Sequence, residues 1–563
     1  MKKLYLSLSS LAMVYSYAQT VSWQRDIASN TQDLLTTMTS TIDRQILLSG
    51  SSIQTQKPSN NSGQPSTNNG YDYHLLKLDQ QGQKVWEKYF GGSRHDYLMG
   101  SVATQEGGFA IIGTSFSNQS GDKKENNLGG SDVWMLRLDE NGNELWQKTL
   151  GTKSNDDASA IVQSTDQGFF VAGSFVSAPG SRAFGSKDVF VAKLDQSGQL
   201  KQTTILGGTS VDEVSDMIAT PDGGAVVLIY STSQKMNDKA SLMNDPGFFT
   251  DQHQASTVTN QPSNNHQSST IHYQPKTEES FGAGDFWIVK LDKTGKVEWQ
   301  KSYGGSGDDR PKSVAYTDTG YLVAGETTSP SSGNKKDNVK EGTDLWVLNL
   351  DKQGNELWQK SYNFGNRDVV MSVSEIRKSE AGSQRSEVKG FLLGGYTQAE
   401  EKVKMDDEKF WMLYIDHTGK EEWRRYVEGK EKKNEERLVS ARFQRDGSYL
   451  LAGTSADQLG GENWKVMKLG GKALEDLAEH RDLRIYPNPV KDYCYVEIEA
   501  GVLENGSVGE LEIVLTDMSG RQVQTLRTNN PITKINTGKL PKGVYVVTAK
   551  TQNKKLTAKI VKE

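Results

Sequence analysis

One unit recurs seven times along this chain, and each copy has to bury its apolar face against another copy, so the repeat dictates the architecture. The unit is clearest at 132–174, where "DVWMLRLD", "ENG", "NELWQKTLG", a segment reaching Asp156 and "ASAIVQSTDQGFFVAGS" follow one another. Its first apolar segment returns as "DYHLLKLD" (72–79), "DVFVAKLD" (188–195), "DFWIVKLD" (285–292), "DLWVLNLD" (344–351), "KFWMLYID" (409–416) and "NWKVMKLG" (463–470). The second half also occurs seven times, one copy standing alone near the start as "VSWQRDI" (21–27), Asp33 and "RQILLSGS" (44–51). Spacing is tight: Trp23–Asp33, Trp86–Asp96, Trp146–Asp156, Trp299–Asp309 and Trp358–Asp368 are each ten apart. Gln202 replaces Trp ahead of Asp212, and Trp423 has Glu435 or Glu436 as its nearest acid.

Within each unit apolar and polar residues alternate over four short stretches with Gly or Asp at the joints, which predicts four antiparallel strands. Units of this length and strand count are blades of a β-propeller. Seven copies predict an all-β fold with a seven-bladed β-propeller over 19–471. The frame is offset, so the N-terminal strand is expected to complete the last blade and remove an exposed sheet edge. The repeats resemble secreted bacterial β-propellers built from "D-x-W-x-x-K-L-D-x-x-G-x-x-x-W-x-K" units, and their Trp strand is similar to that of quinoprotein-type propellers. The resemblance implies that the Trp strand is outermost and the next one lines a central channel. It implies no particular chemistry, since propellers host unrelated functions.

The formal net charge is −6, with both signs interspersed, which gives no electrostatic case for nucleic acid. "MKK", a short apolar stretch and Ser16-Tyr17-Ala18 read as a signal peptide over 1–18, and no later run of about twenty apolar residues predicts a transmembrane segment. Cys494 is the only cysteine, so no internal disulfide can form, and its place on a predicted strand suits a small buried residue.

Asp-x-x-Gly between the alternating strands suits a tight hairpin, with the carboxylate accepting from backbone N–H groups and Gly taking positive φ. Fuller oxygen sets are needed for a calcium loop. A better candidate ring lies after each Trp strand: Asp33, Asp96, Asp156, Asp212, Asp309, Asp368 and Glu436 stand where the channel-lining strands begin. Converging at one mouth they could hold calcium or a polar ligand; the competing reading has each acid capping the turn of its own blade. His95 is the histidine beside this mouth. Connections two of the blades are long, variable and polar, the longest being an insertion at 231–284 with His253, His266 and His272. Variable loops on a rigid scaffold are where binding is usually built. G-x-S-x-G, H-E-x-x-H and phosphate-loop motifs are absent, so no catalytic residue and no cofactor is assigned.

From Leu483 the pattern changes to five to seven short strands, enough for a small Ig-like β-sandwich over 483–563, with 472–482 as a linker. Tyr486-Pro487-Asn488-Pro489, Asp517 with Gly520 and Arg521, Gly543 with Tyr545 and a basic last strand resemble the type A sorting domain of type IX secretion. That resemblance implies recognition by the type IX machinery and passage across the outer membrane, with the tail removed in many members and the cargo released or attached to surface lipopolysaccharide. The expected function is a secreted or cell-surface binding or adhesion scaffold for a protein or glycan ligand. The alternative is a secreted glycan-active lyase or hydrolase with its site at the channel mouth.

Overall fold

The structure is a computed structural model that describes residues 20–27, 33–53, 70–176, 184–236, 250–251, 270–379, 386–398, 408–427, 435–456, 463–478, 482–498, 511–551 and 554–563. The signal-peptide stretch 1–18, His253 and His266 lie outside these residues. Six stretches, 33–90, 96–151, 156–207, 212–303, 309–362 and 367–427, each give four antiparallel strands in chain order, and 435–470 gives three; these are called blades 1 to 7. Blade 7 takes its fourth strand from the N-terminus: β1 (Thr20–Ile27) pairs antiparallel with Asn463–Gly470, with Arg25 opposite Val466. The seven-bladed ring is therefore closed by strand exchange between its two ends, as the offset frame predicts.

Two recurring joints hold neighbouring blades together. The first uses the Asp-x-x-Gly hairpin between third and fourth strands. In blade 2 the Asp139 carboxylate accepts the N–H groups of Asn141 at 2.9 Å and Asn143 at 2.8 Å. Asp79, Asp195, Asp292, Asp351 and Asp416 repeat the pattern. The hairpin glycine takes φ between 74° and 92° at Gly82, Gly142, Gly198, Gly295, Gly354 and Gly419, a region open to glycine at little cost. The missing side chain is used by the neighbour. Trp23, Trp86, Trp146, Trp299 and Trp358 of each preceding blade lie on the next blade's glycine, so closely that an added Cβ would sit 2.6–3.1 Å from the indole. Four of these indoles donate Nε1–H to a carbonyl of that hairpin: Trp23 to Gln80, Trp86 to Glu140, Trp299 to Lys352 and Trp358 to His417. Gln202 occupies the same place against Gly295.

Blade 7 has no covalent hairpin there, because its fourth strand comes from the other end of the chain. Trp423 of blade 6 packs instead in a cluster with Leu474 and Leu477, which belong to a short helix, α1 (Lys472–Glu475), and the turn after it. The first half of the expected linker is thus folded onto the ring. Third-strand tryptophans Trp134, Trp287, Trp346, Trp411 and Trp464 fill the inter-blade cores, and the first two donate to Gln147 and Gln300 of their own outer strands.

The second joint lies at the opposite face. There the start of each third strand meets the start of the next blade's innermost strand, as in the backbone bonds from Asp156 to Ser131 and from Asp309 to Gly284. Aspartates from both strands meet at this seam. The Asp132 and Asp156 carboxyls approach one another there, and burial raises both, Asp156 well above the ordinary range. Buried Lys123, Lys276 and Lys335, all from connections two, bring a positive charge to the same seams. Burial pushes Lys123 down to about 8. Parts of these connections are therefore anchored, and the insertion at 231–284 is too: Thr270–Pro275 adds a parallel fifth strand to blade 3, and Thr250–Asp251 pairs with the outer strand of blade 2. His272 sits in that added strand, and burial lowers its pKa.

Residues 483–563 form two sheets packed as a sandwich, of three and four strands, over a core that contains Cys494. Burial pushes the Cys494 thiol up to about 12, consistent with a packing role.

Two outcomes test these joints. Gly354→Ala, which must meet the Trp299 ring at positive φ, is expected to cost about 2 kcal/mol or more, and Trp299→Ala about 3 kcal/mol. In a denaturation double-mutant cycle the double variant should cost clearly less than the sum; additive costs would mean the two do not form one joint. The seam carboxyls of Asp285 and Asp368, pushed by burial up to about 6, bind their protons more tightly folded than unfolded. Their contribution to stability therefore grows as pH falls from about 6 toward 4. For Asp139, Asp195, Asp292, Asp351 and Asp416, a burial penalty is outweighed by hydrogen-bond donors that hold the carboxyl below the ordinary range, so their contribution is lost only near and below about pH 4. The melting temperature should rise from pH 7 to pH 5, and Asp285→Asn with Asp368→Asn should flatten that rise.

Candidate functional site

The innermost strands enclose the channel, and each carries a β-bulge against its partner at a matching place. The register shifts fall at Leu35/Thr37, Leu98/Gly100, Ala158/Ala160, Val214/Asp216, Pro311/Ser313, Val370/Ser372 and Leu438/Ser440. A bulge leaves one residue out of the ladder and re-aims its side chain. Those residues, among them Thr36, Met99, Ser215 and Lys312, all line one central cavity of about 910 Å³. This ring was not legible in the sequence, because the seven positions share no residue type.

The predicted acids do stand at the starts of the innermost strands, but five of the carboxylates are engaged by nearby N–H and hydroxyl donors. Asp96 accepts from Gly92 N–H at 2.7 Å, Ser115 Oγ at 2.5 Å and Ser117 Oγ at 3.0 Å. Asp309 repeats the set with Gly305, Thr327 and Ser329. Asp212 accepts from Gly208 and Ser233, Asp156 from Thr152, and Asp368 from Phe364 and Thr397. Asp33 is buried to the same degree. Glu436 lies in strand Glu435–Phe443, with its side chain outside the described residues. Among the described residues no three His, Cys, Asp or Glu come together as metal ligands. Asp96, Asp156, Asp212, Asp309 and Asp368 thus act as latches at the blade starts. Alternation along a strand shows which side a residue takes but not that the blade's own Ser and Thr will claim it.

What stands open on this loop-bearing face is an aromatic group. His95 is exposed and stacks on Tyr97 with centroids 5.6 Å apart and planes 8° apart. Tyr71 lies 5.2 Å from Tyr97, and Phe116 meets Tyr97 edge-on at 6.3 Å. His95 Nδ1 accepts the Tyr71 N–H at 3.2 Å. Further round the mouth Lys187 bridges Asp157 and Glu213, and Arg310 pairs with Asp308 while lying 4.7 Å over the Tyr230 ring.

The opposite, hairpin-bearing mouth is held by the tail. Glu497 is 2% exposed and takes Arg44 and Arg445, from hairpins of blades 1 and 7. Tyr486 hydroxyl donates to Glu497 at 2.5 Å, and Arg445 lies 4.4 Å over the Tyr486 ring. Burial pushes Glu497 up, but the Tyr486 hydrogen bond and the arginines outweigh it and hold the carboxyl below its usual range. Lys534 of the tail reaches Glu140 of blade 2 at 3.5 Å. Tyr486 also forms part of the cavity wall. The remaining motif residues serve the sandwich. Asn488 bonds Lys559 and Val561 on the last strand, between Pro487 and Pro489. Asp517 caps a hairpin with Gly520 at φ 87° and an ion pair to Arg521. Gly543 opens the strand in which Tyr545 donates to Pro541.

Residues 484–563 match the secretion system C-terminal sorting domain, which marks the chain for export by type IX secretion. A search of curated proteins gives no match. Among solved structures, a protein of unknown function from Dyadobacter fermentans is similar over 81% of this chain and 100% of its own, at 7% identity and TM-score 0.39. The Pan2 WD40 domain of Neurospora crassa matches over 77% and 89%, at 6% identity and TM-score 0.38. PorZ, a surface component of the type-IX secretion system of Porphyromonas gingivalis, matches over 95% and 82%, at 11% identity and TM-score 0.17. At such scores the ring is read from its own strand order rather than from these neighbours.

The docking predicts that Glu497→Ala frees the tail from the ring. Amide hydrogen exchange should then rise in hairpins 41–45 and 444–447, while the loop-face strand starts stay as in the parent chain.

Proposed function

We propose that the chain is a binding module working at the cell surface or beyond it, with the tail serving export and the propeller serving recognition through its loop-bearing face. The observation that carries this reading is the division between the two mouths. The tail takes the hairpin face through Glu497 and Tyr486, so a partner has the other face. There His95, Tyr97, Tyr71 and Phe116 offer a partly exposed set of rings, with the charged groups of Lys187 and Arg310 further round the same mouth. Aromatic bodies with polar tips supply contact area at low conformational cost, whether the partner is a glycan or a protein. The lyase or hydrolase alternative gains no support from the ring aspartates, whose oxygens accept hydrogen bonds within their own blades.

Two experiments bear on this. A chain lacking 484–563 should fold and remain in the periplasm; normal surface delivery of that chain would contradict the export route. The exported full chain should bind a subset of an immobilised panel of glycans and surface proteins, and Tyr97→Ala with His95→Ala should weaken the strongest hit by about tenfold or more. Unchanged binding by the double variant would remove this face from the account.

A further inference from the structure

The cavity between the bulge ring and the tail holds a guanidinium without a hydrogen-bonded partner among the described residues. Arg442, from the innermost strand of blade 7, points into the lumen, and its side chain makes no hydrogen bond or ion pair with any described residue. It is open to the lumen yet surrounded by protein, so burial disfavours its charge, and Asp216 of blade 4 is the carboxylate that offsets it. Asp216 is already committed. Its Oδ1 accepts the Met217 N–H at 2.8 Å and its Oδ2 the Val314 N–H at 3.0 Å. Four hydroxyls on the same wall, Ser159, Ser215, Ser374 and Ser440, likewise make no hydrogen bond to a described residue.

We propose that this cavity binds a carboxylate-bearing sugar, with the Arg442 guanidinium as the anchor for its carboxylate. A guanidinium receives a carboxylate through two parallel N–H donors, a geometry an ammonium cannot reproduce. Serine hydroxyls both donate and accept, which suits exchange with the hydroxyls of a sugar ring. At about 910 Å³ the space lies within the ~300–1,000 Å³ of ordinary small-ligand sites. Asp216 offsets part of this charge through space, but its oxygens are taken by backbone N–H groups, so the guanidinium fork of the free protein has no acceptor. A bound carboxylate supplies that acceptor. The site is separate from the loop-face rings, so it can fail without affecting the reading above.

The test is calorimetric titration of the full chain with D-glucuronate, with D-glucose and inorganic sulfate as controls. Glucuronate should bind about tenfold or more tightly than either control. Arg442→Gln should lose that preference and, without ligand, melt at the same temperature as the parent or higher. Absence of glucuronate binding, equal binding of glucose, or equal binding of sulfate would each overturn the proposal. So would an Arg442→Gln chain that melts lower and still binds glucuronate normally, which would make Arg442 a structural residue. Should the glutamine variant not fold, Arg442→Lys decides: the proposal requires weaker glucuronate binding with the charge kept but the fork lost, and undiminished binding would overturn it.

Discussion

Everything else in this molecule depends on an indole lying on a glycine. A four-stranded blade is a sheet with two faces to cover, and it is stable only when its neighbours cover them. The fourth-strand Trp of one blade reaches the next blade's Asp-x-x-Gly hairpin, where the missing Cβ lets the ring approach and a carbonyl accepts its N–H. The aspartate shapes the hairpin, the glycine opens it and the neighbour's tryptophan closes it. A single motif therefore does two jobs, one within a blade and one between blades. It also explains why the exceptional copies are exceptional. Gln202 lies against Gly295 and donates to Thr204 of its own strand, and Trp423, facing the gap where the chain ends exchange, packs with the helix that follows the last strand.

The second seam is electrostatic and sits at the other face. Buried aspartates, paired across blades and served by Ser and Thr hydroxyls, are balanced by lysines that descend from the connections above them. Away from the two seams lie three places: the loop face with its rings, the lumen with Arg442, and the hairpin mouth with the docked tail. The tail is thus more than an address. It supplies Glu497 to two arginines of the ring and Tyr486 to the wall of the cavity.

Much of the fold was legible because the repeat writes its own register. The constant distance from Trp to Asp reflects one outer strand, one turn and the start of the next inner strand, and the offset frame shows that the ends must meet. The site was less legible, for physical reasons. A buried aspartate and a metal-binding aspartate look alike in a sequence; only the positions of Gly92, Ser115 and Ser117 decide what Asp96 does. Bulges carry no residue signature, so the lumen ring could not be counted. Lys123 and Lys335 sit in stretches whose polarity suggests solvated loops, although "DKKEN" and "NKKDN" recur at matching places and were the available clue. Glu497 and its two arginines are ordinary charged residues far apart in the chain, and nothing local marks them as partners.

The tail occupies the hairpin mouth and leaves the loop face uncovered by it. Zero-length carbodiimide cross-linking of the unmodified chain, read by mass spectrometry, tests it most directly. Lys534 and Glu140 lie within 3.5 Å of one another across the two domains, so their peptides should be recovered joined, alongside the within-ring pair Lys187–Glu213. Recovery of the within-ring pair without any Lys534–Glu140 product would show that the tail does not sit on this mouth.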